Sequence, residues 1–477
     1  MKRGRVKMIA LFISIMHLLG IAAAIDAIIS VRTSQGAVAW SVSLVTFPYV
    51  ALPAYLLFGR SRFEGYLEER EKVANTMNNL SKQIIADARE YGLPPGVDMP
   101  IYTSLVKLGT LPAMRKNRLQ LLINGNATFD SILKGISGAQ SHVLVEFYTI
   151  KDDGLGGRLK DALIERARAG IKVYVVYDEV GSLGLPSTYV DALRNAGVQI
   201  HAFDTRKGSG NRFQLNFRNH RKIVVVDGKS AWIGGHNVGD DYLGLNPKIG
   251  PWRDTHSQVD GPAAIMAQAV IAMDWYWATN SLPEVDWSIH PVEDGDSTVM
   301  VYPTDPSGQY EGATMLFMQA ITLSRKSLWI ATPYFVPDEG IISALQIAAL
   351  RGVDVRLIIA DKSDNKLVDF AAWSYLPRLM EAGIKVYRYT GGFLHEKVFL
   401  VDDKDAGVGT INFDNRSFRL NFEIVLMATD IDFAREVREM LVNDMENSRQ
   451  VLPEELDTKS FWFPLATGFA RLMAPIL

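Results

Sequence analysis

His220-Arg-Lys222-Ile-Val-Val-Val-Asp227 and His395-Glu-Lys397-Val-Phe-Leu-Val-Asp402 carry one pattern, His-x-Lys-x-x-x-x-Asp, twice in this 477-residue chain. After each Asp comes a Gly-led turn closing on an Asn, first Gly234-Gly235-His236-Asn237 and then Gly409-Thr410-Ile411-Asn412. The runs between Lys and Asp are short, apolar and largely β-branched, and turn-formers follow them, so they read as buried strands. Side chains two apart on a strand share a face, which points each His and its Lys into the same space. A neutral imidazole can attack phosphorus, and an imidazolium can protonate a leaving alkoxide. A fixed ammonium stabilises charge on phosphoryl oxygens, and an Asn amide adds an uncharged donor for them. The duplication supplies two histidines for two jobs and two Lys–Asn pairs for one phosphodiester. A lysine inside an apolar strand edge has no structural use, because a buried ammonium needs a partner. The remaining histidines (His17, His142, His201, His236, His256 and His290) lack such a context and read as ordinary core or surface residues.

The repeat extends upstream of both motifs. Val143-Leu-Val-Glu-Phe-Tyr-Thr-Ile150, a helical stretch and Gly170-Ile-Lys-Val-Tyr-Val-Val-Tyr-Asp178 precede the first. Ser327-Leu-Trp-Ile-Ala-Thr-Pro-Tyr-Phe335, a helix and Gly352-Val-Asp-Val-Arg-Leu-Ile-Ile-Ala-Asp361 precede the second. Asn195-Ala-Gly-Val-Gln-Ile200 likewise parallels Glu381-Ala-Gly-Ile-Lys-Val386. Each half therefore reads strand, helix, strand, helix, strand, motif strand, an α/β unit with helices packed on a sheet. Two such units in a pseudo-twofold arrangement would bring one His from each to a single phosphorus. The expected divisions are residues 1–64 for an apolar membrane segment, 65–110 for a connecting helical region, 111–290 and 291–455 for the two α/β units, and 456–477 for an apolar tail.

These residues resemble the paired HKD motifs of the phospholipase D superfamily, and the whole chain is most similar to its bacterial cardiolipin synthase branch. Asn117-Arg118 and Asn124-Gly125 ahead of the first unit, Glu423 in Asn421-Phe-Glu423 and the apolar N-terminus carry that narrower likeness. The chain departs from the family pattern where Gly234-Gly235 and Gly409-Thr410 stand in place of Gly-Ser. The resemblance implies a catalytic set of His220, Lys222, Asp227, His395, Lys397 and Asp402. Within it, Asp227 and Asp402 sit at strand ends and are expected to be structural or supporting. It implies phosphate binding by Lys222, Lys397, Asn237 and Asn412. It further implies two-step transfer through a phosphohistidine, with His220 as nucleophile and His395 as acid and then base; the residues alone fit either order. A carboxylate downstream of the opposite motif would orient each imidazole, pairing His220 with Glu423 and His395 with Asp254. The implied reaction joins two phosphatidylglycerol molecules into cardiolipin and glycerol, with phospholipase-D-type hydrolysis as the nearest rival.

No metal or other cofactor is expected. The chain lacks cysteine, its histidines are scattered, and a Lys two residues from each key His repels a cation. Gly154-x-Gly156-Gly157 has neither the spacing nor the Lys-Ser/Thr ending of a nucleotide loop. Fifty basic against 53 acidic residues, a formal charge of −3, give no global attraction for nucleic acid.

The substrate class follows from the N-terminus. Met8–Ile29 and Ala37–Phe58 are apolar runs near the roughly 20 residues that a membrane-spanning helix needs. With the polar Val31–Gly36 link between them they read as a transmembrane helical hairpin. A cleavable signal peptide ending near Ala22-Ala-Ala24 is the competing reading, and the second apolar run argues against it. Lys2, Arg3, Arg5 and Lys7 before the first run and Arg60 and Arg62 after the second outnumber Arg32 in the link. The expectation is a multi-pass protein of the bacterial inner membrane with its catalytic part on the cytoplasmic side. Gly65–Tyr91 reads as a solvated connecting helix, and Trp462 and Phe463 in the tail fit either a lipid interface or packing on the catalytic part.

Overall fold

A computed structural model describes residues 2–59, 62–76, 86, 88–94, 99–109, 111–207, 211, 216–457 and 459–474. Arg60, residues 77–85 and 87 of the connecting segment, and residues 458 and 475–477 of the tail lie outside the described residues.

The apolar strands of each repeat lie side by side because their faces are buried almost throughout. In space the first half runs Gln199–Phe203, Lys172–Asp178, His142–Phe147, Lys222–Val226, Ser230–Gly234, Thr255–Asp260. The second runs in the mirrored order Asn421–Thr429, Asp405–Gly409, Val398–Val401, Ser327–Thr332, Asp354–Ala360, Lys385–Tyr389. Met114–Ile123 and Ser297–Thr304 pair antiparallel between the halves, making one 16-stranded sheet among the described residues. In each half three strands beyond the motif strand are parallel and joined by helices, the motif strand enters antiparallel beside the first of them, and in the second half Ser448–Gln450 adds an antiparallel edge. Val143 to Phe147 and Ile223 to Val226 are wholly buried, as strands covered on both faces should be. The two motif strands thus occupy corresponding places on either side of the central pair.

The N-terminus differs from the expected hairpin of two spans. Helix α1, Lys2–Ser30, is long and apolar enough to cross a bilayer at about 43 Å. The second apolar run is broken into α2, Ser34–Thr46, and α3, Pro48–Phe58. Phe47 leaves the helical region (φ −131°, ψ 56°), as the residue before a proline is driven to do, and Pro48 starts a new helix at a position needing no N–H. Polar Thr33 caps α2, its hydroxyl accepting from Gly36 N at 3.2 Å, so this segment begins before Ala37. The two pieces then fold back on α1. Along α2 the Ser41 hydroxyl donates to Ala24 O and Leu44 packs at Gly20, so it runs antiparallel to α1. Along α3, Tyr49 lies against Phe12 and His17 while the Tyr55 hydroxyl donates to Asp26 at 2.7 Å, so it runs parallel. At about 20 Å and 17 Å neither piece spans the hydrocarbon core.

Both ends of this re-entrant pair face the catalytic body. Arg32 in the link donates to the carbonyls of Pro306 and Gly308 at 2.9 Å, and Phe58 O accepts from Asn216 Nδ2 at 2.8 Å. Phe63 then inserts among Phe217, Trp277 and Phe422 at ring separations of 5.1–5.2 Å. The connecting segment contributes helix Tyr66–Thr76, whose Tyr66 hydroxyl reaches Asp274 at 2.6 Å. In the tail, helix Phe463–Leu472 packs Phe463 on Phe370 and Trp373, while Phe461, Trp462, Leu465, Phe469 and Leu472 stay exposed.

Candidate active site

Each motif histidine sits at the mouth of its buried strand, held by the opposite half of the molecule. His220 N donates to Phe422 O at 2.9 Å, and His395 N donates to Arg253 O at 2.7 Å. The side chains repeat that exchange. His220 Nδ1 lies 2.9 and 3.0 Å from the two oxygens of Glu423, and His395 Nδ1 lies 2.7 Å from Asp254 Oδ2. A carboxylate at Nδ1 selects the tautomer with Nδ1–H and leaves an Nε2 lone pair free. Both carboxylates are fully buried. Asn421 Nδ2 holds Glu423 at 3.0 Å, and Thr255 N holds Asp254 at 2.8 Å. Lys222 and Lys397 each donate to the carbonyl of their own histidine.

His220, His395, Asn237, Asn412 and Asn421 line one cavity of about 760 Å³. Burial pushes the His220 and His395 imidazoles down to about 4 and about 3, against the pull of Glu423 on His220 and, at His395, with Lys397 adding to the fall. Burial likewise brings the Lys222 and Lys397 ammonium groups down to about 7 and about 8. Burial would raise the Glu423 carboxyl, but His220 and Lys222 hold it below the usual carboxylate range. The same contest, with His236, His395 and Lys397 on the winning side, holds Asp254 low. At neutral pH the empty site therefore has two ionised carboxylates, two neutral imidazoles and two easily deprotonated lysines. That is an arrangement for a nucleophile, an acid–base partner and a cationic cradle for an anion.

Asp227 and Asp402 are not brought to this cavity. Asp227 accepts from the backbone amides of Gln140, Ser141 and His142 at 2.8–3.0 Å. Asp402 does the same for Arg325, Lys326 and Ser327 at 2.7–3.0 Å. Both have positive φ, 55° and 53°, a conformation Asp tolerates, and both clamp the start of a neighbouring strand.

Several cavity residues escaped the sequence reading. Tyr148 meets His220 edge-on at 5.0 Å, Lys222 lies 5.4 Å from the same ring, and Trp252 packs on His395 at 4.9 Å. Tyr334, Arg218 and Arg416 also line the cavity. On the strand register of the repeat Tyr148 corresponds to Pro333 and Tyr334 to Thr149, so neither the tyrosines nor the arginines carried a repeat signal. His236 and His256, 3.1 Å apart through their Nδ1 atoms, form a buried pair behind Asp254 that no sequence pattern marked. The missing hydroxyl at Gly235 is also explained, since a Cβ there would collide with the Asp254 carboxylate.

Residues 132–250 and 317–445 match the family described as "Cardiolipin synthase, PLD-like domain", more than half of the chain and spanning both motifs. The chain belongs to the cardiolipin synthase family. Residues 18–60 match a "Phospholipase_D-nuclease N-terminal" segment. Cardiolipin synthase A of Pseudomonas putida is 45% identical over 98% of this chain and 98% of its own length. Cardiolipin synthase A of Pseudomonas aeruginosa is 44% identical over 97% of this chain and 94% of its own length. Among solved structures, phosphatidylserine synthase of Haemophilus influenzae superposes with a TM-score of 0.60 at 17% identity, covering 80% of this chain and all of that one. That likeness is one of fold. With the cardiolipin synthase family it places this chain among α/β proteins of the phospholipase D kind.

Proposed function

We propose that this chain transfers a phosphatidyl group from one phosphatidylglycerol to another, giving cardiolipin and glycerol. The observation carrying the proposal is the pair of imidazoles in one cavity, each fixed at Nδ1 by a buried carboxylate from the opposite half. In the first step His220 Nε2 attacks phosphorus, the P–N bond forms, the P–O bond to the departing glycerol breaks, and His395 gives that oxygen a proton. In the second, His395 takes the proton of the acceptor's hydroxyl as its oxygen attacks phosphorus, and the P–N bond breaks. Lys222, Lys397, Asn237 and Asn412 hold the phosphoryl oxygens, whose charge is greatest in the transition states. Glu423 and Asp254 orient the imidazoles and stabilise each as it becomes cationic.

His395 must carry a proton for the first step, though burial and the lysines keep it neutral in the empty site. A bound phosphodiester offsets the ammonium charges, so proton uptake accompanies substrate binding.

An anchored site suits a lipid substrate. The exposed apolar row from Phe461 to Leu472 packs through Phe463 against helix Lys366–Trp373, which also lines the cavity at Lys366 and Leu367. We infer residence in the bacterial inner membrane, with α1 crossing once and α2–α3 re-entering. The second crossing of a multi-pass anchor has no helix of sufficient length among the described residues. Lys2, Arg3, Arg5 and Lys7 open α1 and Arg32 alone follows it closely, so with a single crossing the charge count lends no support to the expected cytoplasmic catalytic part.

The test uses purified protein in micelles with phosphatidylglycerol as the only lipid and products resolved by mass spectrometry. Cardiolipin with free glycerol is expected. Phosphatidic acid with glycerol would make the protein a hydrolase and overturn the transferase reading.

A further inference from the structure

The two half-sites match in histidine, lysine and asparagine, yet the walls beside them do not. Two residues before His220 stands Arg218, whereas two before His395 stands Phe393. Four residues after Asn412 stands Arg416, whereas four after Asn237 stands Asp241. Phe393 stacks on His395 with ring centroids 6.0 Å apart and on Trp252 at 4.8 Å, and Asp241 is neutralised by Lys151. One side of the cavity is therefore aromatic and the other carries two guanidinium groups.

Those guanidiniums are poorly compensated. Arg416 donates to Asn216 O at 2.7 Å and Arg218 to Phe217 O at 2.5 Å, both neutral acceptors, and Arg218 also meets the Tyr148 hydroxyl. Among the described residues neither forms an ion pair. The acidic groups facing Arg416 are Asp414 and Asp178, and both are occupied by backbone amides, Asp414 by Ser417 N and Asp178 by Val180, Gly181 and Asn219 N. Two like charges close together at one partly buried wall are costly unless an anion visits them. The lysine pair already serves the reacting phosphate.

We propose that Arg218 and Arg416 hold the phosphodiester of the acceptor lipid. The inference rests on the transferase reading, because an acceptor with its own phosphate exists only if the second substrate is an anionic phospholipid. Water and free glycerol carry no such group. The arginine pair comes from opposite halves of the repeat and borders His220, the residue that would carry the phosphatidyl group. An acceptor anchored there by its phosphate would present its terminal glycerol hydroxyl to that phosphorus, and guanidinium forks suit phosphate oxygens in number and direction. The site then selects acceptors by charge, favouring lipid over solvent.

The test is a partition experiment on full-length protein in micelles. Phosphatidylglycerol is the donor, and phosphatidylglycerol, isotope-labelled glycerol and water compete as acceptors. R218Q, R416Q and the double variant are compared with native protein, reading the ratio of cardiolipin to labelled phosphatidylglycerol plus phosphatidic acid. Each single substitution is expected to lower that ratio roughly tenfold or more, the loss of a charge-assisted hydrogen bond. R218K and R416K, which keep the charge, should fall between. Because the ratio is internal to each sample, a partly unfolded variant does not disturb it. An unchanged ratio overturns the proposal. So does equal loss of all products in the Gln and Lys variants, which would assign the pair to the donor or to the fold. Native protein that yields phosphatidic acid and no cardiolipin would instead remove the transferase reading itself.

Discussion

Replacing Glu423 with Gln changes one charge at the centre of the proposed mechanism and almost no volume. Glu423 meets His220 Nδ1 through both oxygens, at 2.9 and 3.0 Å. A glutamine can keep a contact there, but it can also offer its NH₂ and select the wrong tautomer. It cannot stabilise an imidazole that becomes cationic as phosphorus is attacked. Losing the carboxylate of such a dyad costs about 10⁴-fold in rate, or roughly 5.4 kcal/mol at 1.36 kcal/mol per decade. A second effect comes through Lys222. Burial lowers its ammonium to about 7, and Glu423 is the leading influence holding it that high. In the native protein kcat/KM should fall as pH rises above about 4, where His220 is already neutral but His395 must take up a proton, and should steepen through about 7 to about 8, where Lys222 and then Lys397 lose theirs. Without Glu423 the Lys222 ammonium is less favoured, so the alkaline fall moves to lower pH. Rapid quench with phosphorus-labelled phosphatidylglycerol reads phosphoenzyme formation, and steady-state rates across the pH range read the limb. A loss below tenfold together with an unmoved alkaline limb would refute the assignment of Glu423 to His220.

The histidines should separate in a trapping experiment. His395→Ala is expected to accumulate labelled phosphoenzyme slowly and His220→Ala to form none, while the opposite pattern would exchange their roles. Asp227→Asn should act on stability alone, lowering it by about 1–3 kcal/mol through weakened backbone amide partners while kcat per folded molecule stays within about threefold; a large kcat loss at unchanged melting temperature would return Asp227 to the chemistry. The chain has no cysteine, so single cysteines at Gly4 and Lys72 can report on topology in intact membranes. They should label from opposite faces, and labelling from one face would restore the two-span hairpin.

Much of the site was legible in the sequence because the repeat is local. The spacing of His, Lys and Asn along a strand and turn does not depend on the rest of the chain, and its second copy separated His220 and His395 from six other histidines. The pairing of Glu423 with His220 and Asp254 with His395 came from family likeness, and the geometry brings those atoms together across 203 and 141 residues. Apolar content also marked the N-terminal segment, but hydropathy is blind to direction. Whether a run crosses or turns back depends on a proline at its middle and on what its ends touch, here Arg32 on Pro306 and Phe58 on Asn216.

The sequence by itself determined the α/β repeat, the two repeated triplets of His, Lys and Asn, and the apolar anchor, since each is encoded in short-range periodicity or spacing. Only the tertiary structure decided which backbone amides Asp227 and Asp402 clamp, that α2 and α3 fold back, and that Arg218 and Arg416 share one cavity. Those outcomes depend on which distant groups share a low-dielectric space, and no local pattern carries that information.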